Sequence, residues 1–126
     1  SKVVSQVEAM KANHHCARYT NSTELLSVLK PDNVIIGIWT DNQPNPDTMK
    51  RFYNANSNVG IFATNLADKS VENLQSVGID ANSFLARKGH IVLRVMPGGD
   101  SYYIYVIDDS DFKYHVTSIH GPFKCK

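Results

Sequence analysis

The sequence predicts an α+β fold in which N-terminal helices pack on a C-terminal antiparallel β-sheet. Three observations predict it. Apolar residues recur at helical spacing, with cap chemistry, in the first part of the chain. Two short continuous apolar runs interrupt those helices. The last third is a series of β-rich runs separated by tight turns. At 126 residues the chain holds one domain, able to bury a core without staples.

Taken in order, Val3, Val4, Val7 and Met10 predict a helix over 2–13. Asn21-Ser22-Thr23 is N-cap chemistry ahead of Leu25, Leu26, Val28 and Leu29, and Pro31 ends that helix. Val34 to Trp39 reads as a buried strand, and Asp41 to Asp47, with Pro44 and Pro46, as a loop or substrate rim. A helix over 47–56 turns Met49, Phe52 and Tyr53 inward. Val59 to Ala63 is a second apolar strand, and Ser70 to Val77 a helix closed by Gly78. His90 to Met96, Tyr102 to Ile107 and Tyr114 to Ile119 are then three strands. Pro97 to Ser101 and Asp108 to Asp111 make their turns. A small parallel sheet, reading 34–95 as β-α-β-α-β, is the alternative. Val34, Ile36, Ile38, Val59, Ile61, Leu93 and Val106 are the expected buried strand residues.

Composition narrows the function classes. Apolar residues make up 42% and charged residues 20%, ordinary usage for a soluble domain. No apolar run approaches the ~20 residues of a membrane-spanning helix. Thirteen Lys and Arg against twelve Asp and Glu leave no footprint of a dedicated nucleic-acid binder. Collagen, coiled coil, disulfide scaffold and disordered tail are excluded. Two cysteines, Cys16 and Cys125, either pair in an oxidising compartment or are unrelated thiols. A start at Ser1-Lys2, without methionine or signal segment, leads us to expect a domain of a larger protein.

The first chemical constellation is Cys16, His90 and Asp108 or Asp109. A cysteine nucleophile needs a base to form thiolate, and that base needs an acceptor to fix its tautomer. Facing residues of an antiparallel hairpin have a constant index sum. A two-residue turn at Gly98-Gly99 sets His90 opposite Ile107, beside Asp108. A three-residue loop sets it opposite Asp108, and a four-residue loop opposite Asp109. Each register brings the imidazole near an acid.

The run Gly89-His90-Ile91-Val92-Leu93-Arg94-Val95, followed by Tyr103-Ile104-Tyr105-Val106-Ile107-Asp108-Asp109-Ser110, resembles the His and Asp strands of papain-like cysteine peptidases. The likeness is to the compact bacterial, bacteriocin-processing type. The segment Thr48 to Ala63 is similar to the helix and strand that precede the His strand there. The resemblance implies a small thiol hydrolase, an effector or toxin domain cleaving a peptide or amide bond. Cys16 would attack, His90 shuttle the proton, Asp108 orient His90, and Gln6 serve the oxyanion hole. It implies no cofactor, a protein or peptide substrate, an inhibitor or immunity partner, and secretion or delivery into a target cell.

Two alternatives come from other classes. His14 or His15 with His115 or His120 would make an acid–base pair for metal-free RNA cleavage, with Lys11, Arg18 or Lys113 stabilising phosphorane charge. That order of helix and meander resembles ribonuclease toxin domains, and makes RNA the partner. A non-enzymatic interaction or immunity domain would leave the histidines idle. Zinc is disfavoured, because adjacent His14 and His15 diverge and no CxxC or HxxxH spacing occurs. Trp39, Phe52 and Phe62 read as core. Tyr102, Tyr103 and Tyr105 occupy both faces of one strand, so some must meet solvent.

Overall fold

The computed structural model describes residues 5–126. The fold is α+β, with the helices in the N-terminal part and an antiparallel sheet at the C-terminus. The chain forms two compact units, one ending at Arg87 and one spanning Lys88–Lys126.

The first unit is a run of β-α units. Its elements are β1 (Ala9–Lys11), α1 (Thr23–Leu29), β2 (Asn33–Ile36), α2 (Pro46–Ala55), β3 (Gly60–Ala63) and α3 (Asp68–Gln75). The strands are parallel in the order β1-β2-β3. α1 and α2 touch one another, as the right-handed rule for parallel crossovers requires of this strand order by placing both on one face of the sheet. Leu26 of α1, Met49 and Phe52 of α2 and Leu74 of α3 share one core with Val34, Ile36, Ile61 and Ala63. So the parallel arrangement weighed as the alternative for 34–95 is realised over β2-α2-β3-α3, with β1 added at its edge. After α3 the chain returns through Ala86, which bridges Phe62 in parallel.

Local chemistry explains the helix ends. Ser22 Oγ accepts from Leu25 N, and Lys30 takes a left-handed turn before Pro31. Asn45 Oδ1 accepts from Asp47 N and Thr48 N, with Pro46 in the first turn and Asp47 beside the positive helix end. Gly78, at φ +82, follows α3.

Over the described part of the helix expected at 2–13 the chain is not helical. Residues 1–4, with Val3 and Val4, lie outside the described residues. Ala9–Lys11 is a strand paired with Asn33–Ile35, and Ala12 N donates to Ile35 O at 2.9 Å. Apolar residues three apart fit either period over so short a stretch, and the non-local ladder decides. Val34, Ile36, Val59 and Ile61 are buried as expected. Ile38 is half-buried, because β2 stops at Ile36.

The second unit is an antiparallel meander of β4 (His90–Val95), β5 (Ser101–Ile107) and β6 (Val116–Lys124). β4 and β5 keep the index sum of the two-residue Gly98-Gly99 turn, from His90 opposite Ile107 to Val95 opposite Tyr102. Gly89, at φ +127, is required there, since a Cβ would lie 2.7 Å from Ile107 O. Tyr102, Ile104 and Val106 are buried, while Tyr103, Tyr105 and Ile107 on the other face of β5 are half-buried. Leu93, expected in the core, is 37% exposed. It sits on β4, an outer strand with a neighbour on one side only.

Candidate functional site

The structure distributes the thiol constellation over both units. Cys16 closes a 3-10 turn at Asn13–Cys16 and is 0% exposed, inside the core of the first unit. Its Sγ lies 3.7 Å from Met49 Sδ, where the thiol donates. Burial pushes the thiol up to about 12, against a smaller pull from the Arg51 charge. At neutral pH the group is therefore a thiol and not a nucleophilic thiolate. Cys16 and Cys125 are both free. Gln6 is exposed in the segment before β1.

His90 and Asp108 belong to the second unit. His90 opposes Ile107, and its ring contact is Tyr114, at 6.1 Å between centroids. The Asp108 carboxylate accepts from Ser110 N and Ser110 Oγ, both at 2.9 Å. Those bonds, with smaller contributions from His115 and Lys88, hold Asp108 below its ordinary range. The carboxylate is thus aimed at its own turn. Asp109, the other candidate acid, is exposed in that turn. His115 O accepts from Asp108 N, and His120 Nε2 pairs with Ser118 Oγ at 3.0 Å.

A different cluster forms where the loops leave the carboxyl ends of the parallel strands, the position at which open α/β sheets bind ligands. Asn13–Cys16 follows β1, Gly37–Gln43 follows β2, and Thr64 follows β3. His14 (φ 47, ψ 50), His15 (φ 56, ψ 25) and Cys16 (φ 57) are all left-handed. Such a conformation costs a non-glycine residue roughly 1–2 kcal/mol, so its surroundings must enforce it. They do. Buried Asn21 accepts from Asn13 N at 2.9 Å and donates to Asn13 O at 3.1 Å. Asn45 N donates to Cys16 O, and Thr48 Oγ1 to Ala17 O. Arg51 reaches from α2 to donate to Thr20 O and Asn21 O.

This frame fixes His15. Its Nδ1 lies 2.6 Å from Gly37 O. A carbonyl only accepts, so Nδ1 carries the proton, and in the neutral ring Nε2 is the lone-pair side. The His14 ring is 6.1 Å away between centroids, and the Trp39 ring 6.3 Å away on the other loop. Trp39 is 78% exposed. Side chains hold the backbone beneath it: Thr64 Oγ1 accepts from Ile38 N, and Gln43 Oε1 from Trp39 N and Thr40 N. Ser70 in turn donates to Asp41 O and Gln43 O. On the first loop Arg18 stacks over Tyr19, 4.8 Å from its centroid, and Tyr19 is 86% exposed.

The strand ends therefore present two imidazoles, two exposed aromatic rings and a guanidinium on a pinned backbone. Sequence reasoning singled out His14, His15 and Arg18 but read Trp39 as core. The polar run Thr40-Asp41-Asn42 directly after Trp39 was the signal that the apolar stretch was ending. Two open grooves of about 450 and 320 Å³ flank Gly78-Ile79-Asp80. Three of their polar side chains are engaged in local turns: Asp80 Oδ1 accepts from Asn82 N, Asn82 Oδ1 from Arg87, and Ser83 Oγ donates to Asp80 O. Among the described residues no group of three or more His, Cys, Asp or Glu side chains is gathered as a metal-ligand set. No helix there is long and apolar enough to cross a membrane. Comparisons with protein-family models, curated proteins and solved structures find no match.

Proposed function

We propose that the first unit binds single-stranded RNA at its strand ends and that His15 is the base for metal-independent cleavage of the bound strand. The observation that carries the reading is the His15 Nδ1–Gly37 O bond beside the exposed Trp39 ring. It leaves Nε2 as the lone-pair nitrogen of a ring that lies beside the surface on which a nucleotide would stack. Trp39 and Tyr19 offer the planar surfaces on which bases of any identity stack, and Arg18 adds a cation. In the reaction, His15 Nε2 takes the 2′-hydroxyl proton and the 2′-oxygen attacks phosphorus. The bond to the 5′-oxygen breaks, and that oxygen takes a proton from protonated His14. A 2′,3′-cyclic phosphate and a free 5′-hydroxyl result.

A net charge of +1 fits a site that relies on stacking more than on phosphate pairing. Affinity should therefore fall shallowly with salt. Burial of Cys16 weighs against the thiol-hydrolase reading, and the acid proposed here is His14 of the same turn in place of His115 or His120, the partners expected from the sequence.

The chain has one tryptophan, so its emission, excited selectively beyond the tyrosine band, reports on this site. Short RNA should quench it, and the same sequence with 2′-deoxyribose should quench it without being cut. His15→Asn tolerates the left-handed backbone and should retain quenching while losing cleavage. Absence of quenching overturns the proposal, and quenching without cleavage overturns its catalytic half.

A further inference from the structure

The two faces of the meander differ in chemistry. Alternation along β5 puts Tyr102, Ile104 and Val106 on its buried face and Ser101, Tyr103 and Tyr105 on the other. Directly opposed residues share a face. Arg94 of β4 therefore stands beside Tyr103, and Lys124 of β6 beside Ser101. Val92 and Ile119 flank Tyr105 from the two outer strands. Arg94 and Lys124 are both exposed.

The tyrosine pair is ordered as a pair. The two rings are close to parallel, at 21°, with centroids 6.1 Å apart, about the ~6.6 Å repeat of same-face side chains on a strand. A register shift between Tyr102 and Ile104 leaves Gly121 beside Tyr103 on β6. A Cβ there would lie 3.2 Å from Tyr103 Cδ1 and 2.9 Å from Tyr102 O, so that flank of the ring carries no side-chain wall.

Charge on this face has one sign. β4, β5 and β6 contain no Asp or Glu. Asp100 belongs to the Gly98-Gly99 turn. Asp108, Asp109 and Asp111 belong to the turn at the other end of β5, away from Arg94 and Lys124, and the Asp108 carboxylate is taken up by Ser110. A net charge of +1 for the chain thus hides a face on which the charged side chains are cations only.

We infer that this face of the second unit is a platform for single-stranded nucleic acid, with successive bases stacked on Tyr103 and Tyr105 and phosphates met by Arg94 on one side and Lys124 on the other. Parallel rings on a central strand, flanked by cations, suit unpaired bases of any identity. A duplex keeps its base faces inside the stack. An apolar protein surface would strip water from Arg94 and Lys124 without supplying an anion. The platform is distinct from the strand-end site and does not rest on the reading of that site.

The test uses the full chain and a single strand of about ten nucleotides containing 4-thiothymidine, whose deoxyribose backbone lacks the 2′-hydroxyl and stays uncut. Photocrosslinking should label the peptide holding Tyr103 and Tyr105, in the wild-type chain and equally in Trp39→Ala, where the strand-end site is disabled. In that Trp39→Ala background, fluorescence anisotropy of a labelled strand should show Tyr103→Leu weakening binding roughly five-fold or more and Arg94→Glu roughly ten-fold or more. Tyr103→Phe keeps the ring and should bind as before. Lys113→Glu, in the acidic turn, should change affinity by about two-fold or less. No label on the β5 peptide, or its loss in Trp39→Ala, would overturn the platform. Equal losses from Arg94→Glu and Lys113→Glu, or indifference to Tyr103→Leu, would also overturn it, as diffuse attraction without stacking. Absence of Trp39 quenching in the wild-type chain would overturn the strand-end site and leave the platform standing.

Discussion

Thiol alkylation separates a buried structural cysteine from a nucleophile, and its size follows from the structure. Cys16 titrates at about 12 against an ordinary 9.0. At pH 8 an ordinary thiol is about one tenth ionised, and Cys16 about one part in ten thousand. Ionisation alone therefore slows its alkylation roughly 10³-fold. Exclusion of reagent slows it further, because the side chain is 0% exposed behind Met49. The assay is native iodoacetamide labelling at pH 8, followed by peptide mass spectrometry of the peptides carrying Cys16 and Cys125. Half-buried Cys125 should label within minutes to hours, and Cys16 only after denaturant is added. A catalytic cysteine paired with an imidazole does the reverse, reacting faster than an ordinary thiol near neutral pH. Labelling of Cys16 in the native protein at a rate equal to or above that of Cys125 would refute the burial argument. It would also restore the thiol-hydrolase reading.

The same shift sets a pH dependence. The unfolded chain loses the Cys16 proton near 9 and the folded chain near 12. This contribution to stability is whole below pH 9 and declines toward pH 12, by at most about 1.4 kcal/mol per pH unit. Urea unfolding of Cys16→Ala at pH 8 and pH 10 should show the smaller loss relative to wild type, and equal losses would contradict it. Asn21→Ala removes both bonds to the Asn13 backbone and should cost about 1–3 kcal/mol in the same assay; a loss below about 0.5 kcal/mol would mean that the turn is held elsewhere. At position 14, glycine should be more stable than alanine by roughly 1 kcal/mol, because only alanine retains a Cβ in the left-handed conformation. Equal stability of the two variants would show that the turn relaxes.

Much of the fold was legible because its signals are local. Ser22 and Asn45 cap helices through bonds two or three residues away, and Gly98-Gly99 sets a register that runs the length of β4 and β5. What sequence missed depends on distant partners. β1 is three residues long and exists because Asn33–Ile35 offers it a parallel ladder. Trp39 ends an unbroken apolar run, yet Thr64 and Gln43 capture the amides after Ile36 and lead the chain out of the sheet. Cys16 kept its place in the Cys-His-Asp order of a peptidase, but order along a chain carries no information about solvent access. His14 and His15 were visible as titratable groups. Which nitrogen of His15 holds the proton became readable only once Gly37 O was found beside it.

The strain and the tautomer are two results of one arrangement. Left-handed backbone at His14, His15 and Cys16 shortens the path after β1, lodges the Cys16 side chain in the core, and leaves the two imidazoles outside it. Glycine at 14 would relieve its share of that strain and lose one ring. At 15 it would also lose the bond that directs Nε2. The bonds from Asn21, Asn45, Thr48 and Arg51 offset a cost that glycines would avoid. They fix the backbone of the turn, while Gly37 O holds the His15 ring, and an ordered ring is what a general base requires at the moment of proton transfer. The physical link between the folded core and the chemistry is therefore Cys16 itself. Its buried side chain anchors the turn that presents His15, so under the proposed reaction the cysteine would contribute through its packing and the imidazole through proton transfer.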